Sequence, residues 1–248
     1  MDTLGVVKTL TISDFKNIRR DSLLNWLMVM PFIIAIFIRL FAPMVAPHVT
    51  RYISVDQFNI IMISYFMVLM IPAMFGAVIG FVLLDEKDDN TLTALQVTPL
   101  SLNGYFLYRV ALPMCLSIIF TLICIPLAGI LSVPVVPLIP ITCLASLEAP
   151  IVALYMASFA KNKVQGFALM KFLGVVLIAP LVAYILIQSN WQLLVGVLPT
   201  YWPLKCFWVM MEGSTNYWVY LAVGFVYHSI VLLALLNRFS TVMHKGAV

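Results

Sequence analysis

Residues 110–147 run for 38 positions without a charged side chain. A soluble fold must cover its outside with polar groups, whereas lipid asks for an apolar outside and for backbone hydrogen bonds closed within each helix. One crossing takes about 20 residues, so this run is too long for a single span, and Pro134, Pro137 and Pro140 interrupt it. It reads as a helical hairpin joined by a charge-free, proline-rich turn. A second run, 60–84, is uncharged for 25 residues, roughly 37 Å of helix, enough to tilt or protrude. Across the chain 63% of residues are hydrophobic and 10% charged, against about 45–50% and 25% in soluble domains.

The sequence therefore predicts an all-α integral membrane protein with six transmembrane helices, over about 23–43, 58–84, 104–131, 141–159, 166–187 and 217–236. They form one transmembrane domain, 23–248, leaving no room for a soluble enzyme domain. In the second span Pro72 marks a kink, and Gly76 with Gly80 marks a close-packing face. Cys115, Cys124, Cys143 and Cys206 all lie in apolar runs without a Cys-x-x-Cys pair or a nearby histidine. They read as small packing residues, and no metal site is expected.

Three segments do not fit a simple crossing. Before the first span, residues 1–22 carry Leu4, Val7, Thr11, Phe15, Ile18 and Ser22 at three- and four-residue steps, with Lys16 and Arg20 on another face. This is the pattern of a cytoplasmic amphipathic helix on the membrane surface, or equally of a simple interfacial anchor. Asp2, Asp14 and Asp21 and the lack of a continuous apolar core argue against a cleaved signal, so the first span is expected to remain as an anchor. The stretch 191–211 is apolar but broken by Pro199, Pro203 and Lys205. Trp191, Trp202, Trp208 and Trp218 fall in or just after it, and indoles favour the membrane interface. Two short re-entrant or surface helices fit it better than a seventh crossing.

The third segment, 85–101, begins with Asp85, Glu86, Lys87, Asp88, Asp89 and Asn90 and continues through Thr91, Leu92 and Leu95 to Thr98, Pro99, Leu100 and Ser101. Acids at the start of a short helix suit its dipole, and Pro99 ends it. Leu92 and Leu95 share one face, too small to enter lipid deeply but sufficient to touch another protein. A calcium loop is disfavoured, because Lys87 stands where a ligand is needed and no glycine follows at the turn.

Six spans place 11 lysines and arginines on the side of the termini and three, Arg39, Arg51 and Lys205, opposite. Both termini are then cytoplasmic. The basic balance follows from topology and gives no reason to expect nucleic acid as a partner.

Three places in the chain resemble the membrane-spanning permeases of type-2 ABC exporters. They are the entry Asp14, Phe15, Lys16, Asn17, Ile18, Arg19, Arg20, Asp21 leading to Pro31; the run 86–108 with Thr91, Leu92, Leu95, Thr98, Pro99, Leu100 and Ser101; and Pro199, Thr200, Tyr201, Trp202 before the last span. Asn90 stands where that family usually has glycine, and asparagine also tolerates left-handed geometry. The resemblance implies a surface helix before span one, a cytoplasmic coupling helix between spans two and three, and a re-entrant helical pair before span six. It implies a separate ABC ATPase subunit docked on the coupling segment, with Glu86 linking that segment to the surface helix. It also implies a second permease copy or paralogue and, as in small permeases of this family, export of a drug-like or other amphipathic molecule. No Gly-x-x-x-x-Gly-Lys-Ser/Thr run occurs in the chain, so ATP and Mg are expected on the partner and no catalytic residue here.

Glu148 lies near the middle of span four beside Pro150. A charged acid there costs about 2.5–3.5 kcal/mol on insertion scales, so it should face protein or a water-filled path, as a pathway or subunit-interface residue, or be protonated. His228 in the last span reads as a hydrogen-bonded packing residue. Two other classes stay open: an ion-coupled carrier using Glu148, Lys171 or His228, and a nontransporting membrane assembly factor.

Overall fold

The computed structural model describes residues 16, 22–49, 51–89, 102–187 and 189–245, and among them there are helices and turns but no strand. Helix α1 is Ser22–Val49. The second span is composite: α2 (Val55–Ile63), a π turn (Ser64–Leu69) and α3 (Met70–Asp88). Next come α4 (Leu102–Ala128), α5 (Val135–Ser146), α6 (Glu148–Phe159) and α7 (Lys163–Leu186). A 3-10 helix (Asn190–Val197), α8 (Tyr201–Met211) and α9 (Tyr217–Lys245) complete the order. Among the described residues six helices are long and apolar enough to cross a membrane: Leu24–Val49, Val55–Asp88, Leu107–Ala128, Val135–Phe159, Lys163–Leu186 and Tyr217–Val242.

Of the expected surface helix only Lys16 is described, helical and exposed; Phe15, Arg20 and Asp21 lie outside the described residues. So do Thr91, Leu92, Leu95, Thr98 and Pro99 of the coupling segment.

The second span is the axis of the bundle, almost wholly enclosed, whereas the first, fifth and sixth spans leave most of their surface uncovered. Its tightest neighbour is the fourth span. A Cβ added at Gly76 would stand 2.4 Å from the carbonyl oxygen of Ala149, and one at Gly80 2.8 Å from Met156 Sδ. The two glycines thus let α3 lie directly on α6, the small-residue contact that membrane helices use in place of a hydrophobic driving force.

Proline shapes the interior through the carbonyls it cannot serve. Pro72 has no N–H, and the π turn ahead of it restarts the helix so that Pro72 sits in the first turn of α3, where no donor is required. In π register the donor to the Met67 carbonyl would be residue 72; Thr121 Oγ1 of α4 donates to it instead, at 3.2 Å. Pro180 in α7 likewise leaves the Val176 carbonyl unserved, and Thr200 Oγ1 reaches it at 3.1 Å.

The proline-rich turn is shorter than the sequence suggests. The fourth span begins at Val135 and not near residue 141, with Pro134 as the residue before the helix and Pro137 in its first turn. Gly129, at φ +63°, closes the preceding α4 in the left-handed conformation favoured at helix ends. Arg39 caps the same end, Nη1 donating to Leu127 O at 3.3 Å, where the helix dipole favours a cation. The fourth span then breaks at Leu147, because Pro150 cannot donate to Ser146 and α6 must start anew at Glu148. α7 has a reciprocal start: Asn162 Oδ1 accepts from Gln165 N at 3.0 Å, and Gln165 Oε1 accepts from Lys161 N at 2.8 Å.

The stretch 190–211 forms two short helices of 8 and 11 residues, each about 16 Å long and so too short to cross. They are anchored within the bundle. Trp208 Nε1 donates to Ser64 Oγ of the π turn at 3.0 Å, and Trp202 Nε1 donates to Gly196 O at 2.9 Å.

Candidate functional site: a charged junction and a buried acid–histidine pair

One end of the bundle gathers its basic groups. Lys87 Nζ donates to Ala160 O at 3.1 Å, Lys163 pairs with Asp85 at 3.0 Å, and the Arg238 guanidinium lies 4.1 Å from the Phe159 ring centre. At this end Glu86 of α3 meets α4. Arg109 Nη2 donates to Glu86 Oε1, the Tyr105 phenol donates to Glu86 Oε2, and Arg109 Nε donates to the Tyr105 oxygen at 3.2 Å. Three side chains close a ring of hydrogen bonds.

The local sequence explains the ring. Tyr105 and Arg109 are four residues apart on α4 and so share a face; Glu86 lies in the last turn of α3. Arg109 is almost fully buried, with the rings of Tyr105 and Tyr108 5.2 and 5.6 Å from its Cζ, so its charge is met by a carboxylate and two aromatic faces. The Tyr105 phenol both donates to Glu86 and accepts from Arg109. The ring spans the segment 90–101, clamping the helices on either side of it. In the sequence Glu86 stands out by its acidic run, whereas Arg109 is one of the topological charges and Tyr105 is unmarked. The four-residue Tyr–Arg spacing is the available signal. The expected link from Glu86 to the surface helix involves residues outside the described ones.

The second polar cluster lies deep between spans four and six. Glu148, the first residue of α6, is 1% exposed and His228 of α9 is 0% exposed. His228 Nε2 stands 3.2 Å from Glu148 Oε1, and Nδ1 stands 2.8 Å from Gly224 O. A carbonyl only accepts, so Nδ1 carries a hydrogen, and the contact to Glu148 holds one proton on either Nε2 or the carboxyl. Either placement leaves the pair without net charge, which lowers the cost of keeping an acid in the bilayer. Each residue is conspicuous alone in the sequence, but their pairing across 80 positions has no local signal.

Of the motif before the last span, Thr200 holds α7, Trp202 packs on the 3-10 helix through Gly196, and Tyr201 is fully buried. Beside them, at the end away from the charged junction, is a polar cavity of about 310 Å³ lined by Gln192, Lys205, Glu212, Tyr184, Tyr201 and Tyr220 among others. A second, apolar cleft of about 200 Å³ lies between α1, α3, α6 and α7, walled by Leu27, Met70, Met74, Val152, Met170 and Leu177. Among the described residues no group of three or more His, Cys, Asp or Glu side chains is arranged to hold a metal ion.

Six helices long and apolar enough to cross a membrane, among the described residues, define a multi-pass membrane protein. The chain belongs to the Rv2686c-like family of fluoroquinolones export permeases, whose family model matches residues 14–236. It is 34% identical over 230 residues to the fluoroquinolones export permease protein Rv2686c of Mycobacterium tuberculosis (strain ATCC 25618 / H37Rv), covering 92% of this chain and 91% of that one. The protein MT2760 of strain CDC 1551 / Oshkosh, which bears the same description, is similar to the same extent. No solved structure matches the chain.

Proposed function

We propose that this chain is the membrane-spanning subunit of an ATP-driven exporter of fluoroquinolone-like amphiphiles. It pairs with a second copy or a paralogue and takes its energy from a separate ABC ATPase subunit carrying ATP and Mg. Both termini lie in the cytoplasm, and the membrane is a plasma membrane or bacterial inner membrane.

The observation that carries this reading is the Glu86–Tyr105–Arg109 ring. A segment that receives a push from a docked ATPase moves the bundle only if its two flanking helices respond together. A ring of charge-assisted bonds between the helices that flank residues 90–101 makes α3 and α4 one lever. The family's named export role, the lack of a phosphate-binding glycine loop in the sequence and the resemblance of segment 85–101 to a coupling helix all support it. The chain is thus read as a transport subunit and not as an enzyme. The basic end of the bundle is read as cytoplasmic, and the pair of helices at 190–211 as re-entrant from the opposite side.

The test is co-purification with the ATPase subunit followed by reconstitution. Fluoroquinolone export should require ATP, and Glu86→Lys or Leu92→Asp should weaken the complex or let ATP hydrolysis run without export. Export by this chain alone, driven by an ion gradient and indifferent to ATP, would overturn the proposal. That outcome would favour a proton-coupled carrier, the reading for which the Glu148–His228 pair is the supporting observation.

A further inference from the structure

We infer that the polar cavity beside the two short helices binds a small zwitterion, with an anionic group seated at Lys205 and an ammonium group at Glu212. The cavity, about 310 Å³, falls at the lower end of the range for small-molecule sites. Its two formal charges are opposite, and neither forms an ion pair among the described residues. Lys205 Nζ donates to Gln192 Oε1 at 3.2 Å and lies 5.7 Å from the centre of the Tyr220 ring. Gln192 is itself committed, its Nε2 donating to Ile187 O, so its acceptor is held toward Lys205. Glu212 follows the last residue of α8, next to Gly213 at φ +75°, and is exposed at the cavity wall.

Aromatic surface completes the site. Tyr184 is stacked on Trp208 with ring centres 4.1 Å apart, and Tyr220 presents its face to Lys205. Tyr201 borders the cavity but is fully buried, its phenol oxygen presenting no exposed surface. Lys205 therefore offers an ammonium to an anion and Glu212 a carboxylate to a cation, and Tyr184 and Tyr220 line the same cavity with aromatic surface for a flat, apolar body.

Two sources share this chemistry: an exported molecule bearing a carboxylate and an amine, and the headgroup of phosphatidylethanolamine. The position, at the end of the bundle away from the charged junction, makes it an exit-side station; that placement rests on the exporter reading, whereas the binding chemistry does not.

The test uses the full chain in nanodiscs of phosphatidylglycerol and a zwitterionic fluoroquinolone as probe, followed by its own fluorescence. The comparators are its methyl ester, which lacks the anion, and its N-acetyl derivative, which lacks the cation. Each comparator should bind the wild type about tenfold more weakly, the scale of one charge-assisted hydrogen bond. Lys205→Gln should abolish the preference for acid over ester, Lys205→Arg should keep it, and Glu212→Gln should abolish only the preference for amine over amide. Misfolding cannot produce that crossed pattern. Equal binding of all three probes to the wild type, or unchanged preferences in Lys205→Gln and Glu212→Gln, would overturn the site. Replacing the lipid by phosphatidylethanolamine separates the sources: competition with the probe, together with a headgroup retained by wild type and lost in Lys205→Gln, assigns the lipid, and its absence assigns the exported molecule. If the crossed pattern holds but ATP drives no export, the site stands and the exporter reading falls. If export runs while the pattern is missing, the reverse follows.

Discussion

Glu148 Oε1 and His228 Nε2 meet at 3.2 Å in the bundle interior, and the other nitrogen of the same imidazole is taken by the carbonyl of Gly224. The histidine is thereby held in one orientation, with a single shared proton between it and the acid. The break of the fourth span at Leu147 supports the arrangement, since it places Glu148 in the first turn of α6, where the helix dipole favours a carboxylate.

Replacing Glu148 should separate hydrogen bonding from charge. Glu148→Gln can still donate to a neutral Nε2 and should cost less than about 1.5 kcal/mol. Glu148→Ala leaves His228 buried with an unmet nitrogen beside a cavity and should cost about 2–4 kcal/mol. Thermal unfolding of detergent-solubilised protein measures both, and equal losses would mean that the charged form dominates the contact.

The junction ring makes a charge-swap prediction. Arg109→Ala removes the cation facing Glu86 and leaves a buried hole beside it, and should destabilise by about 3–5 kcal/mol, whereas Tyr105→Phe removes neutral donation and should cost about 1–2 kcal/mol. Glu86→Arg with Arg109→Glu should recover part of what either change loses alone, as measured by thermal shift in a double-mutant cycle. Additive losses would deny that the pair acts as a unit.

At Gly76 the clash is with backbone, and backbone cannot rotate away. Gly76→Val should force α3 from α6 and cost at least about 1–3 kcal/mol. The readout is melting temperature, with Gly174→Val, where nothing lies within 4 Å of the added carbon, as the control expected to leave it unchanged.

Thr200→Val removes the donor that serves the Val176 carbonyl and should cost about 1–3 kcal/mol. Combining it with Pro180→Ala, which restores the helix's own donor, should shrink the loss. Hydrogen exchange of the amide that Pro180→Ala introduces would register the new bond directly, and a fast-exchanging amide there would show that the carbonyl is still unserved.

Much of the helical frame was legible in the run of apolar residues. Gly76 and Gly80 could be read as a contact face because their spacing alone puts them on one side of a helix. The start of the fourth span is misread from sequence because Pro134, Pro137 and Pro140 together look like a turn, yet proline before a helix or in its first turn breaks no hydrogen bond. Glu86 stands out by its place in an acidic run; Lys205 and Glu212 do not, because nothing near them in sequence marks the cavity between them.

What the sequence determined by itself is the solvent and the secondary structure: long uncharged runs require lipid, lipid requires closed backbone hydrogen bonds, and helices follow at six places. Tertiary structure alone decided the partners. Glu148 finds His228, Glu86 finds Arg109 and Thr200 finds Val176 because of the rotation and depth at which each helix meets its neighbour. Those settings come from the summed packing of whole faces, with Gly76 against Ala149 among the closest contacts, and no short stretch of sequence contains them.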